Sequence, residues 1–247
     1  MPDDPLILTA LLVAVFMAAL TQGTTGFGFA LVAVPPMTIL VDPEIVVPAL
    51  LVQTLMTGAL ILIHARKHVR IRRMGLLSLS GVAGVPAGTA ILLVLDAEPL
   101  RVMIGVIVIV AALAMMAGYR KTPRNELLAS VPVGFVSGML GASTGLSGPP
   151  VIFFYANQSM DIREFRANIV AHFQVMHIVT IPIYIYSGLL TGETLLLSAQ
   201  LLPATLVGVI GGIVINRWVR EALFRRIALG LILTAGLIAV VSGAIEL

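Results

Sequence analysis

Long uncharged stretches alternate with short charged ones along the whole chain. The charge-free runs are 6–41, 45–63, 74–95, 102–118, 127–160, 167–192, 194–216 and 227–245. Most approach the ~20 apolar residues that an α-helix needs to cross a hydrocarbon core. The pattern predicts an all-α integral membrane protein with about eight hydrophobic segments, forming one transmembrane domain over residues 1–247. Run 127–160 is too long for one crossing and short for two, which need about 40 residues plus a turn. Run 6–41 has the same character. A re-entrant hairpin of two half-helices fits both.

Each of these two runs carries a polar break. Thr24-Thr25-Gly26-Phe27-Gly28 precedes Pro35-Pro36, and Ser143-Thr144-Gly145-Leu146-Ser147-Gly148 runs straight into Pro149-Pro150. Glycine and proline at membrane depth interrupt a helix and free backbone groups that lipid cannot satisfy, so such breaks are buried in protein or line a cavity. The paired prolines suit the first turn of a following half-helix, where a missing N–H costs nothing. The exposed N–H groups and positive dipole end of a half-helix attract anions. Kinks and close packing explain a single motif equally well; two in matching places favour a binding role.

The matches extend further. Gly84-x-x-x-Gly88 corresponds to Gly208-x-x-x-Gly212, Arg101–Gly105 to Arg226–Gly230, and Gln53 to Gln174, all in the same order. They suggest a duplicated unit of about 120 residues, with repeat one at 6–118 and repeat two at 127–246. The glycine pairs by themselves read as helix-packing sites.

Charge sets the topology. All but Arg101 of the fifteen basic residues fall in four stretches: 64–73, 119–126, 161–166 and 216–226. The positive-inside rule places these in the cytoplasm. Loops 119–126 and 161–166 then share a side, which makes 127–160 a hairpin and the two repeats inverted. Inverted repeats with broken helices in equivalent positions mark secondary transporters whose substrate sits near the midplane. Loop 161–166 also carries Asp161 and Glu164; were it outside, the repeats would be parallel, with eight plain spans.

Composition narrows the function classes. Hydrophobic residues make up 59% and charged residues 11%, against about 25% charged in soluble domains, and mean hydropathy is +1.07. The basic balance reflects loop charges, not nucleic-acid binding. The absence of cysteine removes disulfides and thiolate chemistry. The acidic start, Met1-Pro2-Asp3-Asp4-Pro5, lacks the basic region of a cleavable signal peptide, so the first segment is expected to be retained. No metal or other cofactor is expected.

The candidate substrate-binding residues are Thr24, Thr25, Gly26, Ser143, Thr144, Gly145 and Ser147 at the breaks. Gln53 and Gln174 join them, read equally as ligand contacts and as links between helices. His172 and His177 are candidates for a proton relay, although either is as readily a satisfied interface histidine. Their i, i+5 spacing does not make the i, i+4 metal pair. Arg166 and Asn168, at the mouth of the same segment, either guide an anion or cap and snorkel. Gly145-Leu146-Ser147-Gly148 also reads as the Gly-x-Ser-Gly of a rhomboid-type intramembrane protease, with Ser147 as nucleophile and a histidine as base. Pro149-Pro150 and the lack of a serine in the first break argue against it, and no enzyme activity is expected.

These residues carry a resemblance. Thr21–Gly28 with Pro35-Pro36, Gly141–Pro150, Phe165-Arg166-Ala167-Asn168 and Phe224-Arg225-Arg226 resemble the sulfite exporter TauE/SafE family, also called the 4-toluene sulfonate uptake permease family. The resemblance covers nearly the whole chain. It implies a multi-pass protein of the bacterial inner membrane that moves sulfite, sulfonates, other sulfur-containing organic anions or small carboxylates. Its partners would be a small anion and the lipid bilayer, with no nucleic acid; a homodimer stays open. An anion channel and a carboxylate carrier remain alternatives. Export of an anion is favoured by an inside-negative potential, by about 2.3 kcal/mol per charge per 100 mV, so an exporter needs no strong coupling ion.

Overall fold

The computed structural model describes residues 4–117, 125–156, 158 and 160–215. Run 227–245, the pattern Phe224-Arg225-Arg226, the partner of Arg101–Gly105 and the basic residues of 120–124 and 217–226 lie outside the described residues.

The described residues are helical throughout, without strands. The helices are α1 Pro5–Thr25, α2 Phe29–Leu40, α3 Pro43–Ala65, α4 Ile71–Val94, α5 Ala97–Ala117, α6 Glu126–Thr144, α7 Gly148–Ala156, α8 Ile162–Tyr186 and α9 Gly192–Ile215, with a 3-10 turn at Arg66–His68. Seven are long and apolar enough to cross a membrane; α2 and the nine-residue α7 are not. Local chemistry sets the ends. Pro5 occupies the first turn of α1 and the Asp4 side chain accepts the Leu6 N–H at 2.8 Å, as an N-cap should. Asn125 caps α6 and Asp161 caps α8 in the same way.

Both long runs are broken at their glycines. Gly26 and Gly28 have φ of 86° and 91°, and Gly145 has 75°, a region that residues with a Cβ rarely enter. The hairpins differ from the expected pair of half-helices. Each joins a full-length helix (α1 of 21 residues, α6 of 19) to a short one. At 21 and 19 residues, α1 and α6 each run about 30 Å. A second correction concerns the prolines. Pro149-Pro150 lie in the first turn of α7, as expected, but Pro35-Pro36 lie inside α2. There they remove two helical donors and leave the carbonyls of Leu31 and Val32 without their usual partners.

The most extensive helix contacts are α4 with α6 and α1 with α9. Glycine brings the backbones together. A Cβ on Gly84 or Gly88 would lie 2.1 Å from the Phe135 or Met139 carbonyl oxygen, and one on Gly208 or Gly212 would lie 2.6 or 2.4 Å from that of Phe16 or Leu20. The packing reading of these glycine pairs is borne out. Each close pair joins a helix of the first half to a helix of the second. Both pairs are parallel in direction, because rising numbers meet rising numbers along each seam. The main apolar core, including Leu11, Val15, Phe29, Met37, Ile104 and Leu201, lies among α1, α2, α3, α5 and α9.

The two hairpins open at opposite ends. At one end, Glu164 of α8 meets Arg73 at 3.4 Å and Arg70 at 3.8 Å, and the Arg70 N–H donates to Asn168 at 2.8 Å. Residues 161–166 therefore lie beside the basic stretch 64–73, and all but Asp161 belong to helix α8. The α4–α6 register brings the start of α6 to this end too. At the other end, Ile7, Leu40, Asp42, Ile45, Glu193, Leu197 and Gln200 line a cavity of about 250 Å³. Arg101 bonds there to the Thr38 carbonyl at 2.7 Å and to Asp42 at 3.0 Å.

Candidate functional site

The second break forms one wall of a small cavity. Gly138, Gly141, Ala142, Gly145 and Ser147 face Ala30 and Val34 of α2, Val47, Leu50, Leu51 and Thr54 of α3, and Met176, His177 and Thr180 of α8. Its volume is about 20 Å³, room for roughly one water molecule. No Lys, Arg, Asp or Glu side chain lines it.

Three contacts shape this wall. The Tyr184 hydroxyl donates to the Ala142 carbonyl at 2.7 Å. The Thr144 hydroxyl donates to the Leu140 carbonyl at 2.8 Å and accepts the Leu146 N–H at 3.3 Å. The Ser137 hydroxyl donates to the Ser147 carbonyl at 2.7 Å. Pro149 and Pro150 have no N–H. The start of α7 therefore offers the amides of Ser147 and Gly148 and the Ser147 hydroxyl, which makes no hydrogen bond among the described residues.

The two histidines have different surroundings. Ser137 already donates to Ser147, so it accepts the Nε2–H of fully buried His172 at 3.1 Å. Nδ1 of His172 then accepts from Ser78 at 3.0 Å. The network assigns this tautomer, and it joins α4, α6 and α8. His177 lines the cavity. Thr54 donates back to the Leu50 carbonyl at 2.9 Å and accepts from His177 Nε2 at 3.3 Å. The buried Nδ1 of His177 has no partner among the described residues.

The other sequence candidates lie elsewhere. The Thr25 hydroxyl is 2.8 Å from the Thr21 carbonyl and accepts the Phe27 N–H at 3.2 Å, repeating the role of Thr144. The Thr24 hydroxyl bonds back to Thr21 at 2.9 Å, and Ser143 to Met139 at 2.9 Å. Beside Gly26, the Arg166 guanidinium donates to the Thr24 carbonyl at 2.6 Å and closes the end of α1. Phe27 meets Phe165 edge-on, with ring centroids 6.2 Å apart. Gln53 donates to the Ser198 carbonyl of α9, and Gln174 to the Leu55 carbonyl of α3 at 2.9 Å. Both link helices, and each keeps a buried Oε1 without a partner. The structure thus brings Gly145, Ser147 and His177 together and leaves Thr24, Thr25, Gly26, Gln53 and Gln174 outside the cavity.

Sequence reasoning missed Thr54, Ser137 and Thr180. Isolated hydroxyls in apolar helices usually bond to their own backbone, so they give no signal until a partner helix is known. Neither histidine hydrogen bonds the Ser147 hydroxyl, so a serine–histidine dyad is not assembled.

Searches of curated proteins and of solved structures each return no match. The family model described as sulfite exporter TauE/SafE matches residues 11–239, nearly the whole of this helical, membrane-spanning chain, and the protein belongs to that family.

Proposed function

We propose that the protein is a secondary transporter working as an exporter, and that it carries sulfite, an organosulfonate or a related sulfur-containing anion across the bacterial inner membrane. The observation that carries this reading is the small cavity at the second break. It joins a half-helix start, a free hydroxyl and three facing polar side chains, Thr54, His177 and Thr180, in an apolar, uncharged surround. Neutral donors compensate an anion without the grip of a buried arginine. A cavity the size of one water cannot hold a sulfur oxyanion, so loading requires helices to part. That favours a carrier over an open channel.

We read the halves as inverted repeats over 6–118 and 127–246, supported by hairpins that open at opposite ends. In this reading Ser147 and the amides of Ser147 and Gly148 contact the anion. Thr25 and Thr144 shape the breaks, and His172 positions Ser137. His177, with its bare Nδ1, is the residue able to take up a proton as the anion binds. His172 is the other titratable group near it.

Proteoliposomes loaded with radiolabelled sulfite or taurine test this. Saturable efflux is expected, reduced at least tenfold by Ser147→Ala in a protein that still folds. Unchanged efflux in that variant would remove Ser147 from the site.

A further inference from the structure

A second polar constellation lies away from this cavity, where α4, α7 and α8 meet at the basic end. The Asn168 side chain is fully buried. Its Oδ1 accepts the Arg70 N–H at the N-cap of α4, while its Nδ2 has no partner among the described residues. The amide is held by that bond, so its unused N–H groups sit at the start of a 24-residue helix. Arg70 gives this helix no side-chain cap, and the amides of Ile71 and Arg72 have no acceptor within the helix. The Tyr155 hydroxyl is also buried without a partner among the described residues. Tyr155 packs in a cluster with Leu77 and Ile169, and Arg73 and Glu164 are the charges that act on it.

Two buried donors are costly when unmet. The several acceptor oxygens of an oxyanion suit such a pair. Among the described residues, Arg73 and Glu164 act on Tyr155, and Arg70 and Arg73 both pair with Glu164. The arginine side chains are 69% and 42% exposed and form the open side of the junction. Glu164, at 18%, holds them in place and weakens the attraction.

We propose that Asn168 Nδ2, the Tyr155 hydroxyl and the N-terminus of α4, with Arg73, form an oxyanion-binding subsite at the basic mouth of the protein. It would take up a free sulfur oxyanion such as sulfite before the central cavity opens. The loading role rests on the transport reading above; the binding site itself does not. Its chemistry is shared by the phosphate of an anionic lipid, so the test separates the two sources.

Asn168→Asp keeps the oxygen that Arg70 needs and replaces the unused donor with a second acceptor, so a merely structural role for Asn168 would survive it. Tyr155→Phe removes one oxygen from a packed ring. Binding of radiolabelled sulfite and sulfate is measured on the full chain in nanodiscs of neutral phosphatidylcholine. Tyr155→Phe should weaken binding about tenfold, and Asn168→Asp on the order of a hundredfold, with melting temperatures close to wild type. Unchanged binding in both variants overturns the subsite and leaves the two donors to a trapped water. The measurement is repeated with phosphatidylglycerol in the disc. If the variants lose only a lipid-dependent rise in melting temperature, the occupant is a lipid phosphate and the loading role falls. If the wild type moves no sulfur anion but binding still disappears in Asn168→Asp, the subsite stands and the transport reading fails.

Discussion

Gly138→Ala should damage this protein, while the same change at Gly75 should not. A Cβ on Gly138 would lie 1.9 Å from the Gly81 carbonyl oxygen, about 1 Å short of the 3.0 Å that real Cβ atoms keep. The obstacle is backbone, so rotamer changes cannot relieve it and α4 and α6 must separate by about 1 Å. A gap of that size forfeits a quarter to a half of each contact of about 0.1–0.2 kcal/mol. Over roughly a hundred atom pairs along the seam, the loss approaches 5 kcal/mol. Partial relaxation brings the expected cost to about 2–4 kcal/mol, near the usual range for overpacking. Around Gly75, on α4, nothing among the described residues lies within 4 Å. Alanine there should be neutral or stabilising by up to about 1 kcal/mol. Thermal melts of the two variants in one detergent, read as the fraction remaining monodisperse, give the comparison. Equal melting temperatures for Gly138→Ala and wild type would refute backbone contact between α4 and α6.

His172→Ala should destabilise the protein by about 2–4 kcal/mol, since it removes a buried ring and two bonds between helices; denaturation in mixed micelles measures it. His177→Asn should leave stability nearly unchanged yet lower proton movement accompanying sulfite efflux, read with an internal pH dye. Thr144→Val should reduce efflux, because the Leu146 amide loses its acceptor and the second break loses its shape. A cysteine placed at Ile162 should react with impermeant reagents only from the cytoplasmic side, and labelling only from outside would sink the inverted arrangement.

Charge spacing alone located nearly every described helix, because a hydrocarbon core demands long uncharged runs and the chain keeps its charges between them. Gly26 and Gly145 marked the breaks because few other residues take their backbone conformation. The depth of each break was not legible. It depends on how far α1 and α6 continue before their glycines, and the apolar residues on either side look alike. The Pro35-Pro36 pair misled for a related reason. Two prolines usually begin a helix, but the two positive-φ glycines ahead of them had already begun this one. The cavity was half legible. Ser147 and His177 stood out as polar residues in apolar runs, whereas Thr54 and Ser137 gained significance only from the helices opposite them. Gln53 and Gln174 were visible as buried polar groups, and partner carbonyls on α9 and α3 decided their use.

The cross-paired seams also constrain how the chain is made. As the ribosome releases α1, its close partner α9 has not been synthesised, and α4 must wait for α6. The first half therefore enters the bilayer with bare glycine faces and cannot complete its own packing. Assembly has to be largely post-insertional, with newly made helices held apart or loosely associated until the second half arrives. A chain truncated after α5 should be a substrate for membrane quality control, and two halves made as separate polypeptides should restore the protein only when both are present in the same membrane.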